Sequence, residues 1–115
     1  MPIYALLTRL SPVTLGEWAK WAGKETAADP KLIAELGEQV AQSLKQQVPE
    51  AKWIASYAVL GPYDYLDIFE APDNETAAKV AAVIRPHGNA TTETWPLTPW
   101  DRFRDLLRAM GTQST

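Results

Sequence analysis

The sequence predicts an α+β domain in which four strands form one antiparallel sheet and helices pack on one of its faces. Stretches with strand and helix periodicity follow the order strand, helix, strand, strand, helix, strand. A Gly-Pro turn joins two β-prone stretches in the middle of the chain. With 115 residues, 46% of them hydrophobic, the chain can enclose one core, so we expect a single domain over residues 1–115.

The first strand covers residues 3–10, which are apolar on both alternations, as in a central strand covered on both faces. Thr14 and Glu17 follow at capping-box spacing, where each side chain satisfies a backbone N–H group at a helix start. A short helix through Trp18 and Trp21 is therefore predicted.

A longer helix begins at Asp29-Pro30, because aspartate caps a first turn and proline fits the first helical position without cost. Pro49 closes it. Apolar side chains recur along this helix at spacings of three and four, so one side of it faces the core. These side chains are Leu32, Ile33, Leu36, Val40 and Leu44.

The second and third strands form a hairpin. Residues 53–60 and 65–70 are β-prone, and residues 61–64 join them with a proline that suits the first central position of a tight turn. Asp73 then caps a further helix. Its buried side carries Ala77, Val80, Ala81 and Ile84.

Threonine-rich residues 89–95 make the fourth strand, which completes a core over residues 3–96. The resulting order is the split β-α-β of ferredoxin-like folds, in which right-handed crossovers place the first and third strands at the centre. A C-terminal helical extension over residues 98–110 follows, with Gly111 as its stop. Its apolar stripe should dock on the protein's own surface or on a partner subunit, and consists of Phe103, Leu106, Leu107 and Met110.

Composition and charge argue against several classes of protein function. The net charge is −3, and the 11 basic residues form no run, which disfavours a nucleic-acid partner. No apolar stretch approaches the roughly 20 residues that span a bilayer, and the N-terminus lacks a signal-peptide pattern, so the expected location is the cytoplasm. Without cysteine, disulfides, thiolate nucleophiles and iron–sulfur or thiolate zinc sites are excluded.

The hairpin and the blocks after it resemble the GYD family, which is named after a Gly, a Tyr and an Asp. The residues that carry the resemblance are Gly61-Pro62-Tyr63-Asp64, preceded by Ala58-Val59-Leu60. Two further blocks, over residues 70–75 and 91–94, are similar to family patterns in the same order. The resemblance implies a ferredoxin-like protomer of the dimeric α/β-barrel type. That grouping includes cofactor-independent monooxygenases, isomerases, haem-degrading proteins and effector-sensing domains.

Pairing the first and third strands antiparallel sets Leu7 opposite Leu66 and Ala5 opposite Ile68. We expect these four residues to meet the helices. The alternate residues would then form the open face of the sheet, an apolar surface with one carboxylate in its middle. They are Tyr4, Leu6, Thr8, Tyr65, Asp67 and Phe69.

Asp67 is the first candidate for chemistry, because aspartate is depleted inside strands and costly to bury without a partner. One interpretation is a general base or ligand-orienting carboxylate whose pKa rises in an apolar cleft. The other is a structural carboxylate that accepts hydrogen bonds from Tyr or Thr side chains. Tyr63 and Tyr65 present the same choice between donating to a substrate oxygen and packing in an interface.

Two other polar residues have local explanations. Asp64 is expected to end the turn by accepting backbone N–H bonds and to pair with Arg9. His87, the single histidine, follows a helix end. With no second His or Cys a transition-metal site is not supported, so no cofactor is predicted, although haem would need only one such ligand.

The five tryptophans are expected to anchor the core or an interface, and an aromatic-lined pocket is the alternative. The sequence thus supports a module that binds or transforms a small, partly aromatic metabolite beside the open face. As an enzyme it would be cofactor-independent, with Asp67, Tyr65 and His87 as catalytic candidates. The candidate ligand-binding residues are Tyr4, Thr8, Tyr63 and Phe69.

The alternative function is a non-catalytic assembly or effector-sensing module whose sheet face only dimerises. Helices on one side leave the other side of the sheet bare, and a large exposed apolar surface is unusual in a soluble monomer. Two identical sheets packed face to face would cover it under two-fold symmetry. We therefore predict a homodimer.

Overall fold

A computed structural model describes residues 1–10, 30–87 and 90–112 of the chain. Its elements, in chain order, are β1 (Ile3–Arg9), α1 (Pro30–Gln47), β2 (Lys52–Ala58), β3 (Tyr65–Glu70), α2 (Asn74–Ile84), β4 (Thr91–Leu97) and α3 (Trp100–Thr112). The predicted α+β class and ferredoxin-like element order are confirmed. The short helix predicted through Trp18 and Trp21 lies outside the described residues.

The four strands form one antiparallel sheet in the order β2-β3-β1-β4, so β1 and β3 are central, as predicted. Ala5 lies opposite Ile68 and Leu7 opposite Leu66, which confirms the predicted register. The β2–β3 turn is short, and Val59 donates its backbone N–H to the carbonyl oxygen of Asp64. Register and order together fix which side chains share a face of the sheet.

Helices α1 and α2 pack on one face of the sheet and enclose the core with it. Three aromatic rings lie beneath them: Phe69 stacks on Tyr4 with ring centroids 5.5 Å apart and on Trp53 at 5.2 Å. The Tyr4 hydroxyl donates to Oδ1 of Asn74 at the start of α2 (2.7 Å). Leu6, Phe69 and Val80 are the largest fully buried side chains among the described residues.

This packing shows that the predicted assignment of the two faces is wrong. Tyr4, Leu6 and Phe69 lie in the core under the helices, not on the open face. Alternation pairs residues into two sets but does not say which set meets the helices, and both sets here are apolar. The large rings fill the space beneath two helices, whereas the small side chain of Ala5 would leave a gap there.

The open face of the sheet consists of the alternate residues, and no helix in the described part of the chain covers it. Trp95 (46% exposed) and Tyr57 (56%) are its most exposed rings. The other apolar residues of this surface, which we call the open face, are Ile3, Ala5, Leu7, Ala55, Leu66, Ile68 and Leu97. Glu93, opposite Leu7, and Glu70, opposite Ile3, lie on the same face. The predicted bare apolar face therefore exists, with other residues on it.

Both edges of the sheet are blunted against strand addition. Pro96, in edge strand β4, has no backbone N–H to donate. On the other edge, the β2–β3 register shifts between Trp53 and Ala55, which marks a bulge. Such devices prevent edge-to-edge pairing of sheets. Contacts with another chain are therefore expected through the open face and not through an edge.

Helix ends follow the predicted chemistry, with differences in extent. The Asp73 side chain caps α2 by accepting from the backbone N–H of Thr76 at 2.8 Å. The fourth strand begins at Thr91 and continues through Pro96 to Leu97. Helix α3 continues past Gly111, the predicted stop, to Thr112.

The apolar stripe of α3 is exposed and does not dock on the described surface. The exposed fractions of its side chains are 45% for Phe103, 47% for Leu106, 44% for Leu107 and 66% for Met110.

Replacing Phe69 by alanine tests the aromatic stack. Because the ring is fully buried between Tyr4 and Trp53, Phe69→Ala should lower the free energy of unfolding by about 3–5 kcal/mol. Leu60→Ala, in the exposed turn, should change it by less than about 0.5 kcal/mol. Urea denaturation followed by circular dichroism measures both. A cost below about 1 kcal/mol for Phe69→Ala would contradict the assignment of this face to the core.

Candidate functional site

A cavity of about 580 Å³ lies between α1 and the covered face of the sheet. Leu36, Val40 and Leu44 of α1 form its apolar wall. The opposite wall is more polar and comes from the sheet, with Thr8 of β1, Ser56 of β2, and Tyr65 and Asp67 of β3. The sequence placed a ligand cavity beside the open face, but this cavity lies under the helices.

Thr8 is the most unusual residue of the polar wall. It is only 4% exposed, and its Oγ1 has no hydrogen-bond partner among the described residues. A buried hydroxyl without a partner has lost its hydrogen bonds to water and has not replaced them, which lowers the free energy of unfolding by about 1–3 kcal/mol. Thr8 lies directly opposite Tyr65 in the β1–β3 ladder, so both side chains share this face.

Asp67 lies two residues further along β3 and shares the face with Tyr65. Burial raises the pKa of the Asp67 carboxyl, and hydrogen bonds from the side chains of Ser56 and Trp53 partly oppose this effect. The Trp53 indole N–H also donates to Ser56 Oγ at 2.8 Å, so the three side chains form a connected group. Asp67 has partners within its own sheet, and it also faces the cavity.

Tyr65 is partly buried beside two carboxylates. Burial raises the pKa of its phenol, and the negative charges of Asp64 and Asp67 raise it further. The phenol therefore stays neutral at physiological pH, as a hydrogen-bond donor or acceptor. Asp67 and Tyr65, two of the three predicted catalytic candidates, are thus adjacent on one cavity wall.

His87, the third catalytic candidate, also lines the cavity, just beyond the end of α2. Its Nδ1 lies 2.8 Å from the carbonyl oxygen of Val83, and its Nε2 lies 3.4 Å from Ser43 Oγ. Because a carbonyl only accepts, Nδ1 carries the hydrogen and Nε2 of the neutral ring is an acceptor. The described residues contain no group of three His, Asp or Glu side chains placed to hold a metal ion.

The other ligand-binding candidates do not all reach the cavity. Thr8 lines it, but Tyr4 and Phe69 are core residues in the aromatic stack. Tyr63 lies in the hairpin turn, where the Arg9 guanidinium is 5.4 Å from its ring centroid. Tyr63 therefore stabilises the turn through a cation–π contact.

Asp64 accepts the backbone N–H of Leu10 on its side chain at 2.8 Å, so the predicted backbone role is confirmed. The predicted ion pair with Arg9 is wrong. Arg9 instead donates from Nε to the carbonyl oxygen of Pro62. The backbone N–H of Asp64 also donates to the carbonyl oxygen of Thr8 at 2.8 Å. These three hydrogen bonds hold the turn against the N-terminal strand and the residue after it.

A comparison with protein families identifies the chain. The GYD domain model matches residues 13–107, far more than half of it. The chain belongs to the GYD domain family. The predicted resemblance is therefore confirmed, and the Gly61–Asp64 motif lies in the turn just described. None of the described helices of this GYD domain is long and apolar enough to cross a bilayer.

A relative from Thermus thermophilus bears the name glutamine synthetase and cystathionine beta-lyase binding protein. It is 32% identical to this GYD domain over 78 residues, which make up 67% of this chain and 77% of the relative. That name describes a protein that binds enzymes.

Sequence reasoning missed part of the cavity wall in this GYD domain. Ser56 hydrogen-bonds to Asp67 across the β2–β3 ladder, and the hairpin register could have indicated this pair. Lys45 and Val48, near the end of α1, also line the cavity. No signal in the sequence could have placed them there, since that depends on how α1 crosses the sheet.

Thr8→Val tests the unpartnered hydroxyl. Valine has the same shape without the polar atom, so the free energy of unfolding should rise by about 1–2 kcal/mol. Thr92 provides a matched control, because it lies opposite Thr8 in β4 and its Oγ1 accepts a hydrogen bond from Arg85. Thr92→Val should lower stability by about 0.5–1 kcal/mol. Urea denaturation measures both, and a loss of stability for Thr8→Val would show that its hydroxyl has a partner.

Asp67→Asn tests the buried carboxylate through pH. Because the pKa of Asp67 is raised in the folded state, folded protein binds more protons than unfolded protein just above the ordinary carboxyl pKa. The contribution of the Asp67 carboxyl to the free energy of unfolding therefore falls as the pH rises from its ordinary pKa to its raised pKa in the folded protein. Asp67→Asn should be more stable than wild type at pH 7, and the difference should vanish below about pH 4.

Thermal unfolding between acid and neutral pH measures this difference. Glu38→Gln, at an exposed position of α1 outside the cavity lining, controls for the loss of one negative charge. If Asp67→Asn were less stable than wild type at pH 7, the hydrogen bonds from Ser56 and Trp53 would outweigh the cost of burial.

Proposed function

We propose that this GYD domain is a non-catalytic protein-binding module that associates with a metabolic enzyme. The observation that carries the proposal is the exposed apolar stripe of α3, defined by Phe103, Leu106, Leu107 and Met110. The name of the Thermus thermophilus relative supports it, because that name gives glutamine synthetase and cystathionine beta-lyase as bound proteins. These two enzymes are therefore the candidate partners.

Helix α3 suits a helix-in-groove contact. Residues 103, 106, 107 and 110 have the i, i+3, i+4 and i+7 spacing of side chains that enter a partner's groove. Trp100 extends the stripe by one turn, and its ring lies 6.2 Å from that of Phe103. An exposed stripe of this kind costs solubility without a partner, so it favours an interaction role.

The opposite side of α3 is charged and suited to water. Asp101 and Arg104 approach to 3.9 Å, and Arg104 lies 3.8 Å from Asp105. Exposed pairs of this kind contribute little stability. Their effect is to leave one side of the helix hydrated while the apolar stripe contacts the partner.

The open face of the sheet supports a second contact, with another copy of this chain. Pro96 and the β2 bulge block both edges, which leaves face-to-face packing as the available mode. Two identical faces related by a two-fold axis would cover each other's apolar side chains and close the assembly. In this proposal the sheet forms a homodimer and each α3 remains available to an enzyme.

Leu107→Glu tests the α3 contact. The purified chain is titrated, by calorimetry, into the glutamine synthetase and cystathionine beta-lyase of the organism that carries it. Wild type should bind at least one of them, and Leu107→Glu should weaken that binding by about tenfold or more, because a charge enters an apolar groove. Arg108→Gln makes the same change in net charge on the hydrated side and should leave the affinity within about twofold.

Circular dichroism establishes that both variants fold. Binding to neither enzyme by wild type would contradict the enzyme partner, and equal effects of the two substitutions would contradict the α3 surface.

A further inference from the structure

The cavity beneath α1 has the features of a small-molecule site, and the protein-binding function does not use it. Its volume of about 580 Å³ lies within the 300–1,000 Å³ typical of such sites. We propose that it binds a small primary amine with a mostly apolar body. The ammonium would lie against Thr8, Tyr65 and Asp67, and the body against α1.

The apolar wall determines the body of the ligand. Leu36, Val40 and Leu44 of α1 face Trp53 of β2 across the cavity. These side chains offer no polar partner apart from the Trp53 indole N–H, which is already donated to Ser56. A ligand that fills this part of the cavity must therefore be apolar or aromatic.

The polar wall determines the head group. Thr8 Oγ1 is buried without a partner, and a ligand atom within hydrogen-bond distance would satisfy it. Tyr65 lies opposite Thr8, and Asp67 lies diagonally across the same ladder. Diagonal neighbours in a sheet are about 7–8 Å apart at Cα, so both side chains can reach one small group between them.

The polar wall is richer in acceptors than in donors. The Asp67 carboxylate accepts only, and Nε2 accepts in a neutral His87 ring whose Nδ1–H donates to the Val83 carbonyl. Thr8 and Tyr65 hydroxyls can also accept. Lys45 is the one cation on the lining among the described residues, and it is exposed to solvent. An ammonium has three donors and a positive charge, so it complements this wall better than a hydroxyl or a carboxylate.

Nuclear magnetic resonance titration of the full chain with phenethylamine at neutral pH tests the site and detects weak binding. Backbone signals of Thr8, Ser56 and Tyr65 should shift, and those of Trp95 and Leu97 on the open face should not. Phenethyl alcohol and phenylacetic acid have the same apolar ring, and each should bind at least about tenfold more weakly. No shifts with phenethylamine up to about 10 mM would overturn the proposal. Equal binding of the alcohol would overturn it as well.

Three variants locate the ammonium. Asp67→Asn should reduce phenethylamine affinity by about tenfold or more, since it removes the charge. Thr8→Val should reduce it by about threefold to tenfold, through loss of one hydrogen bond. Glu93→Gln removes a carboxylate from β4 outside the cavity and should leave affinity unchanged. Unchanged affinity in Asp67→Asn would overturn the proposal, and these outcomes do not depend on whether an enzyme binds α3.

Discussion

The rest of the structure depends on the aromatic stack of Tyr4, Phe69 and Trp53. The three rings come from the adjacent strands β1, β3 and β2 and lie on one side of the sheet. Rings of this size dominate the energetics of burial, so the side that carries them becomes the side on which α1 and α2 pack. The hydrogen bond from Tyr4 to Asn74 then ties that side to the start of α2.

The packing of α1 and α2 on the face with the aromatic stack has two consequences. It turns Thr8, Tyr65 and Asp67 inward, so polar groups enter a space bounded by the apolar side chains of α1. It also turns a second apolar set outward, including Leu66, Ile68 and Trp95, where no described helix covers them. The cavity and the open face therefore lie on opposite sides of one sheet, and both result from which face the helices cover.

Much of the fold could be predicted because its signals are local. The proline at the start of α1, the aspartate cap at Asp73 and the Gly-Pro turn each act within a few residues of their own position. The pairs of Ala5 with Ile68 and Leu7 with Leu66 were predicted by aligning the two central strands antiparallel, and they are correct. The choice of face was wrong because β1 is apolar on both alternations, and alternation alone cannot rank two apolar sets.

The candidate site was predicted in part for the same reason. Asp67 was singled out because an aspartate in a central strand needs a partner, and Tyr65 and Thr8 follow it by alternation on the same face. Tyr4 and Phe69 obey that alternation too, but lie in the stack at the other end of the face. The cavity wall formed by α1 depends on the angle and position at which this helix crosses the sheet. The spacing of apolar residues along the sequence does not predict either.

Membership of the GYD domain family and a relative named for binding two enzymes favour protein contacts as the function. The two apolar surfaces have different shapes, a flat sheet and a single helix, and therefore suit different occupants. In our proposal the sheet face contacts a second copy, and the helix stripe enters a groove of the enzyme. None of the described residues that line the cavity belongs to α3 or to the apolar set of the open face, so the two proposals concern different parts of the molecule.

In our proposal the open face, and not the face with Phe69, is available to a second chain. Light scattering coupled to size-exclusion chromatography measures this directly on wild type, on Ile68→Glu and on Ala78→Glu, an exposed position of α2 with the same change in charge. We expect twice the monomer mass for wild type and for Ala78→Glu, and the mass of one folded monomer for Ile68→Glu. A wild-type monomer at micromolar concentration, or a dimer that persists in Ile68→Glu, would contradict the account.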